Sequence, residues 1–399
     1  MFVLRKVYCR IFQKIFRAAL PILPYRKPKL LHSVSEIPEV CRKWKVDSVM
    51  IVTDAGIRAM GLTDFLEKTL EENHIGCCVY DRTVANPTIW NVEEARELYL
   101  ERGAQAIIAF GGGSSMDCAK AAGARIAKPN QSISQMKGLL KVHKKLPLLI
   151  AVPTTAGTGS ETTLAAVITD SEKHYKYPIN DFSLIPLYAV LDYHETVGLP
   201  KNITASTGMD ALTHAVEAYI GGSTTRETRA MAEEAVRLIH QHLKAAYDDG
   251  HNKAARKGML KAAYCAGVAF TKSYVGYVHA VAHSLGGQYG TPHGLANAVI
   301  LPVVLRMYGP SCEKKLARLA RNTGVVDAAL DDGETSRLFI DWVQEMNDSM
   351  GIPRKLSGIR EEDIRQMAKH ADKEGNPLYP VPKLMNRKEL EAIYYAVKE

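Results

Sequence analysis

Thirteen histidines are spread through 399 residues, and three of them, His279, His283 and His293, fall within fifteen positions. His279 and His283 stand four apart in a stretch with helical periodicity, so they share one face. Upstream, Asp210 and His214 repeat the i, i+4 spacing within TGMDALTHAVE. Two helices that each present such a pair can surround one divalent ion with imidazoles and a carboxylate. That donor set suits Fe2+ or Zn2+ rather than Mg2+ or Ca2+. Four histidines for three ligand places leave one over, which matters for proton transfer. Glu217, one turn beyond His214, reads as a solvated helix residue rather than an acceptor behind the metal.

A second kind of chemistry is written in two loops. Residues 106–110 form a β-rich run that delivers Gly111, Gly112, Gly113, Ser114 and Ser115 into a helical stretch. Free backbone N–H groups at a helix N-terminus make an anion site, and glycine lets phosphate oxygens approach the backbone. The second loop, PTTAGTGSE at 153–161, sets the hydroxyls of Thr154, Thr155, Thr158 and Ser160 beside two glycines, more polar chemistry than a turn needs. Asp54 follows another strand, where doubly wound folds place an acid on a cofactor ribose. Its charge would repel a 2′-phosphate and favour NAD over NADP. Because Asp54 precedes Gly111 by 57 residues, whereas the usual G-x-G-x-x-G acid follows the glycines, the strand order must differ from that of a standard dinucleotide fold.

The elements that position these groups follow from periodicity. Between residues 30 and 199, β-rich runs at 48–53, 77–80, 106–110, 148–152, 167–169 and 189–191 alternate with helical stretches at 63–73, 92–102 and 116–127, as in an α/β domain. Beyond 200 the pattern is helical, with helices expected at 211–220, 228–246, 254–270, 278–285, 313–321, 335–346 and 361–369. The expected organisation is a basic extension at 1–29, an α/β dinucleotide-binding domain at 30–199 and an all-helical metal domain at 200–399.

Composition narrows the class. A 46% hydrophobic chain with 24% charged residues is neither disordered nor fibrous. The net charge of +8 invites a nucleic-acid reading, but residues 1–35 hold eight bases and no acid, and without them the count is 43 bases against 43 acids. The body is neutral, and no nucleic-acid partner is expected. Residues 2–20 form an amphipathic helical pattern, with Leu4, Val7, Tyr8, Ile11, Phe12, Ile15 and Ala18 on one face and Lys6, Arg10, Gln13, Lys14 and Arg17 on the other. Such a helix suits an anionic membrane surface; docking on its own protein or on another subunit, and organelle targeting, are the alternatives. No apolar run reaches the ~18 residues of a membrane span. Seven scattered cysteines without C-x-x-C spacing suggest a reducing cytoplasm.

From about residue 47 onward the chain resembles the iron-containing alcohol dehydrogenases. The resemblance is carried by Asn86-Pro87-Thr88, GGGSSMDCAK at 111–120, PTTAGTGSE at 153–161, TGMDALTHAVEAY at 207–219 and VHAVAHSLGGQYGTPHGLANAVILP at 278–302. The last two reproduce the spacing of both metal-bearing segments. The resemblance implies a dehydroquinate synthase-like architecture, with an α/β dinucleotide-binding domain followed by an all-α metal domain, a homodimer, NAD as cofactor, and Fe2+ with Zn2+ able to compete. It implies Asp210, His214, His279 and His293 as metal ligands, and His283 as a non-ligand histidine near the nicotinamide and the candidate proton carrier. Asp54 takes the ribose place; Asn86, Gly111–Ser115, Thr154, Thr155, Thr158 and Lys176 take cofactor-contact places, with Lys173 close enough to compete with Lys176. The expected reaction is reversible oxidation of an alcohol to an aldehyde or ketone. A glycerol-type polyol dehydrogenase, a 3-dehydroquinate synthase-like lyase and an inactive membrane-recruited scaffold are the rivals. Two departures stand out: Ala85 replaces the family's usual proline, and the basic extension is additional.

Overall fold

The computed structural model describes residues 2–172, 175–327 and 329–399. The chain forms two compact units, one of Pro24–Val197 and one that joins Met1–Leu23 to Gly198–Glu399.

The first unit is built on a six-stranded parallel sheet. In chain order it contains β1 (Lys29–Leu31), α2 (Ile37–Trp44), β2 (Ser48–Val52), α3 (Ala55–Ala59), α4 (Asp64–Glu72), β3 (Gly76–Tyr80), α5 (Ile89–Glu101), β4 (Ala106–Gly111), α6 (Gly113–Ala127), β5 (Gly138–Leu139), β6 (Leu148–Pro153), β7 (Ala165–Asp170), β8 (Tyr175–Asn180) and β9 (Tyr188–Val190). The strand order is β1-β9-β6-β4-β2-β3, and β5, β8 and β7 make a separate small sheet. β4 and β6 are buried along their whole length, as strands covered on both faces must be. Alternation sends Met50, Val52, Ile107, Ala109, Leu149 and Ala151 to one face, against Val92 and Ala95 of α5 and Met116 and Ala119 of α6. Val49, Ile51, Ile108, Phe110, Ile150 and Val152 pack on the other face, with Ile37 and Val40 of α2 and Leu66 and Leu70 of α4. From β2 the chain steps outward to β3 and then back across to β4, so the order reverses between β2 and β4. Ligands of open α/β sheets bind at the carboxyl ends of the strands beside such a reversal.

The second unit is helical: α1 (Phe2–Ala19), α7 (Lys201–Ile220), α8 (Arg226–Asp248), α9 (Lys253–Ser273), α10 (Tyr277–Tyr289), α11 (His293–Tyr308), α12 (Glu313–Thr323), α13 (Asp332–Ser349), α14 (Glu361–Gly375) and α15 (Arg387–Val397). The helix α11 is not among those expected from periodicity. Its residues 296–302 are buried without interruption, so no polar face marks a period of 3.6. Pro302 sits inside it and cannot donate to the carbonyl of Ala298. The amide of the buried Asn347 on α13 supplies that bond instead, at 2.7 Å, which keeps α11 continuous.

The basic amphipathic helix forms, but it does not stand apart as an extension. Arg5 makes a two-pronged ion pair with Asp372 at 2.7 and 2.9 Å. Gln13 donates to the carbonyls of Pro377 and Tyr379, and Arg10 donates to those of Val381 and Pro382. Cys9 is buried, and Phe16 meets Tyr274 edge to face at 5.1 Å. The inward side thus mixes polar Arg5 and Gln13 with Cys9 and Phe16, while Leu4, Val7, Tyr8, Ile11 and Ile15 are 52–77% exposed.

Candidate active site

Three helices bring four ligand-type side chains together. On α7, Asp210 and His214 lie one turn apart and buried. The His214 ring is sandwiched between Phe270, at 4.1 Å and 11°, and His279, at 4.5 Å and 25°. α10 supplies His279, and His293 is the first residue of α11. Asp210, His214, His279 and His293 each offer one ligand atom, and these atoms lie within 4.8 Å of one another. Asn297, one turn after His293, sets Nδ2 2.7 Å from Asp210 Oδ1, 3.2 Å from His279 Nε2 and 3.1 Å from His293 Nε2. Its own Oδ1 is buried without a partner among the described residues. Acceptors converging on one point, with a buried amide unsatisfied beside them, mark a site shaped for positive charge. Three imidazole nitrogens and one carboxylate oxygen fit a divalent first-row transition ion.

The imidazoles are oriented from behind. His279 Nδ1 is 2.6 Å from Glu217 Oε2, and the same carboxylate accepts the backbone N–H groups of Gly276 and Val278, each at 2.8 Å. A Cβ at Gly276 would stand 2.6 Å from Glu217 Oε1, so only glycine admits that close approach. With Nδ1 protonated toward the carboxylate, His279 presents Nε2 to the cluster. Burial, and then the neighbouring His214, His293 and His283, hold its pKa well below the usual range, so the ring is neutral and available as a ligand. Glu217 is therefore not a solvated helix residue as its sequence position suggested. It is buried, and desolvation pushes its carboxyl up to about 8 against the three N–H donors that favour the carboxylate.

His283 lies on the same face of α10, one turn from His279, and stacks on His293 at 5.1 Å. Its Nδ1 is 2.6 Å from Glu374 Oε1, which also accepts the Tyr379 hydroxyl at 2.7 Å. This chain of Tyr379, Glu374 and His283 fixes the tautomer and leaves Nε2 as the working nitrogen.

The dinucleotide-type loops lie in the first unit, at the carboxyl ends of β2, β4 and β6, which are neighbours in the sheet. α6 begins at Gly113 after Gly112, which makes no side-chain cap, so its leading N–H groups offer an anion site at the turn. Thr154 N–H donates to Gly111 O at 3.1 Å, and a Cβ at Gly113 would stand 3.1 Å from Thr158, so the two loops pack as one surface. Thr155 lies beside Gly112. Asn86, with φ at 60°, donates its backbone N–H to Ser114 Oγ and accepts from Lys176 Nζ at 2.7 Å. Lys173, the rival of Lys176, lies outside the described residues. Ser115 Oγ is buried without a partner among the described residues. Asp54 caps α3 through Oδ1, which accepts from Gly56 and Ile57. These groups fit a diphosphate and a ribose.

Beneath the second loop lies Lys120, fully buried, a residue that the reading of motifs left without a role. Its ammonium donates to Ser160 O and Oγ, Thr163 O and Oγ1 and Ala165 O at 2.6–3.1 Å. Asp117 accepts from Ser160 Oγ and Val167 N–H, each at 3.0 Å. Burial lowers the Lys120 pKa to about 8. Lys120 and Asp117 stand inside the GGGSSMDCAK segment, three apart on α6, the local signal that both reach the same loop, where they meet through Ser160 Oγ.

Residues 31–193 match the family described as iron-containing alcohol dehydrogenase, and residues 204–397 match the Fe-containing alcohol dehydrogenase family, C-terminal. The chain belongs to the iron-containing alcohol dehydrogenase family. Alcohol dehydrogenase 4 of Saccharomyces cerevisiae is 39% identical to this alcohol dehydrogenase over 343 residues, 85% of this chain and 88% of the yeast protein. The NAD-dependent methanol dehydrogenase of Bacillus methanolicus is 34% identical over 341 residues, 85% of this chain and 89% of its own. The crystal structure of a 1,3-propanediol oxidoreductase superposes with a TM-score of 0.89 at 35% identity, covering 93% of this chain and 98% of that one. The expected fold class of an α/β unit with a helical unit is thus the family's own. Helix α1 lies outside the residues matched to the family.

Proposed function

We propose that this enzyme catalyses the reversible oxidation of a primary alcohol to the aldehyde, with NAD as hydride acceptor and Fe2+ at Asp210, His214, His279 and His293. The observation that carries this reading is the cluster of four ligand atoms with His279 turned into it by Glu217. When bound, the ion supplies Lewis acidity toward the alcohol oxygen and the nicotinamide takes the hydride.

The chain's own residues supply the rest. Asp210 balances positive charge, and the neutral imidazoles add ligands without adding charge. His283, outside the ligand set, holds its Nδ1 proton toward Glu374, so its Nε2 can take up the proton that the alcohol loses. Gly111–Ser115 and Thr154, Thr155 and Thr158 hold the diphosphate against the N-terminus of α6, while Asn86 and Lys176 close one side of that loop. Asp54 receives the ribose and disfavours a 2′-phosphate, which supports NAD over NADP.

The names of the relatives, which specify methanol and 1,3-propanediol, support small primary alcohols. The intact metal segments disfavour the polyol dehydrogenase and lyase rivals. Seven free thiols support a reducing, cytoplasmic setting, and the family resemblance supports a homodimer. The test is NAD-coupled turnover over straight-chain alcohols of increasing length, with protein reconstituted separately with Fe2+ and Zn2+. Expected is NADH formation that requires the ion; full turnover in metal-stripped protein would overturn the reading.

A further inference from the structure

Helix α1 leaves a row of large apolar side chains in water. Its polar Arg5 and Gln13 are spent on Asp372 and on the carbonyls of Pro377 and Tyr379, while Leu4, Val7, Tyr8, Ile11 and Ile15 form a continuous exposed stripe. The docked side already holds Cys9 and Phe16, so this second apolar row does not serve to fix the helix to its own protein. Ile22, just past the end of the helix, extends the apolar surface at 83% exposure. Alongside runs a groove of about 460 Å3 lined by Lys6, Val7, Arg10, Ile11, Lys14, Lys383 and Leu384. Of its cations, Arg10 is turned to the carbonyls of Val381 and Pro382 and Lys383 is paired with Glu389 at 3.0 Å, which leaves Lys6 and Lys14, with Arg17 further along the same flank, as the exposed cations of the helix. An apolar stripe edged by cations, with no acid in residues 1–35, complements a surface that is anionic at its edge and apolar beneath.

We propose that α1 lays this enzyme on a bilayer that contains anionic phospholipid. Leu4, Val7, Tyr8, Ile11 and Ile15 enter the acyl boundary, and the exposed Lys6, Lys14 and Arg17 take lipid phosphates. The proposal is independent of the catalytic reading, because it can be read on protein with no turnover.

The experiment is vesicle flotation of the full chain with phosphatidylcholine alone and with phosphatidylglycerol added, at low and high salt. The variants are Ile11→Glu with Ile15→Glu, and Lys6→Gln with Lys14→Gln and Arg17→Gln; none touches the site, so turnover and Tm report folding. Wild type should float only with the anionic vesicles and fall off at high salt. The Glu pair should lower partitioning by about tenfold or more, and the Gln triple should remove the preference for phosphatidylglycerol. Equal flotation on both vesicles, no flotation, or flotation of the Glu pair like wild type would each overturn the proposal. Sedimentation velocity covers the rival occupant: an assembly dissolved by the Glu pair, without vesicle binding, would show that a second copy covers the stripe.

Discussion

The carboxylate of Glu217 lies 2.6 Å from His279 Nδ1 and accepts two backbone N–H groups at the start of α10, so one side chain on α7 sets both the helix entry and the aim of a ligand. Outer partners of this kind are worth about 10–100-fold in metal affinity. Glu217→Gln is expected to lower Fe2+ and Zn2+ affinity by that order in competition with a chelator, with turnover recovered at saturating metal. His279→Ala should lose metal and turnover together, and a fully active variant without metal would remove the ligand assignment.

His283 and Glu374 should separate from the ligands in the same assay. His283→Ala is expected to retain metal by elemental analysis while turnover falls by about 100-fold, within the range of general acid–base catalysis. Glu374→Gln should fall less, by about tenfold, since it removes the orienting charge and leaves the imidazole. Loss of the ion in His283→Ala would mean that the roles of His283 and a ligand are exchanged.

Asp54 both caps α3 and carries the charge assigned to cofactor choice. Serine keeps the cap and removes the charge. Asp54→Ser should therefore leave Tm nearly unchanged and raise the NADP+ to NAD+ ratio of kcat/KM by about tenfold or more, equivalent to about 1.4 kcal/mol. An unchanged ratio would place the ribose elsewhere.

Replacing Lys120 by Met would leave five oxygens without their ammonium. A loss of about 3 kcal/mol is expected, since each buried acceptor left unsatisfied costs about 1–3 kcal/mol. Because Ser160 and Thr163 anchor the PTTAGTGSE loop, KM for NAD+ should rise while the metal content of the second unit stays constant. Unchanged KM with lowered Tm would confine Lys120 to a structural role.

Two buried carboxyls give the first unit a pH dependence. Burial raises Glu161 to about 7 from an ordinary 4.5, and burial with the nearby Asp192 does the same for Glu195. Each folded pKa exceeds the unfolded one, so this contribution is complete below about pH 4.5 and is lost as pH rises through about 7. Thermal melts of the cofactor-free protein should decline from pH 5.5 to 8, and Glu161→Gln with Glu195→Gln should flatten that decline. An identical slope in the variant would show that other groups set it.

What could be read in advance depended on locality. Asp210 with His214 and His279 with His283 are helical neighbours, so spacing alone reveals them. The glycine turn and hydroxyl loop are likewise continuous in sequence. Glu374 and Tyr379 lie about 90 residues beyond His283 and carry no motif, so only tertiary packing brings them to it. Glu217 was legible in position but not in environment, because a glutamate on a helix is solvated unless a neighbouring backbone, here at Gly276, closes over it. The helix α11 escaped because uniform burial erases the periodicity by which helices are found. In α1 the amphipathic pattern was visible, but which side faces the protein was decided by Asp372 and by the carbonyls of 377–382, far along the chain.

The docking of α1 also decides where the indispensable part of the chain begins. Gln13 holds the carbonyls of Pro377 and Tyr379, the Tyr379 hydroxyl holds Glu374, and Glu374 holds His283. Against the cost of burial, hydrogen bonds from Arg5, Asn376 and Arg387 keep the Asp372 carboxyl below its usual range, so Arg5 is a counterion to a side chain that is only 1% exposed. A shortened enzyme that starts at the first strand would strip out that counterion and loosen the histidine's support at once. Its lost activity would measure a damaged foundation rather than a missing anchor.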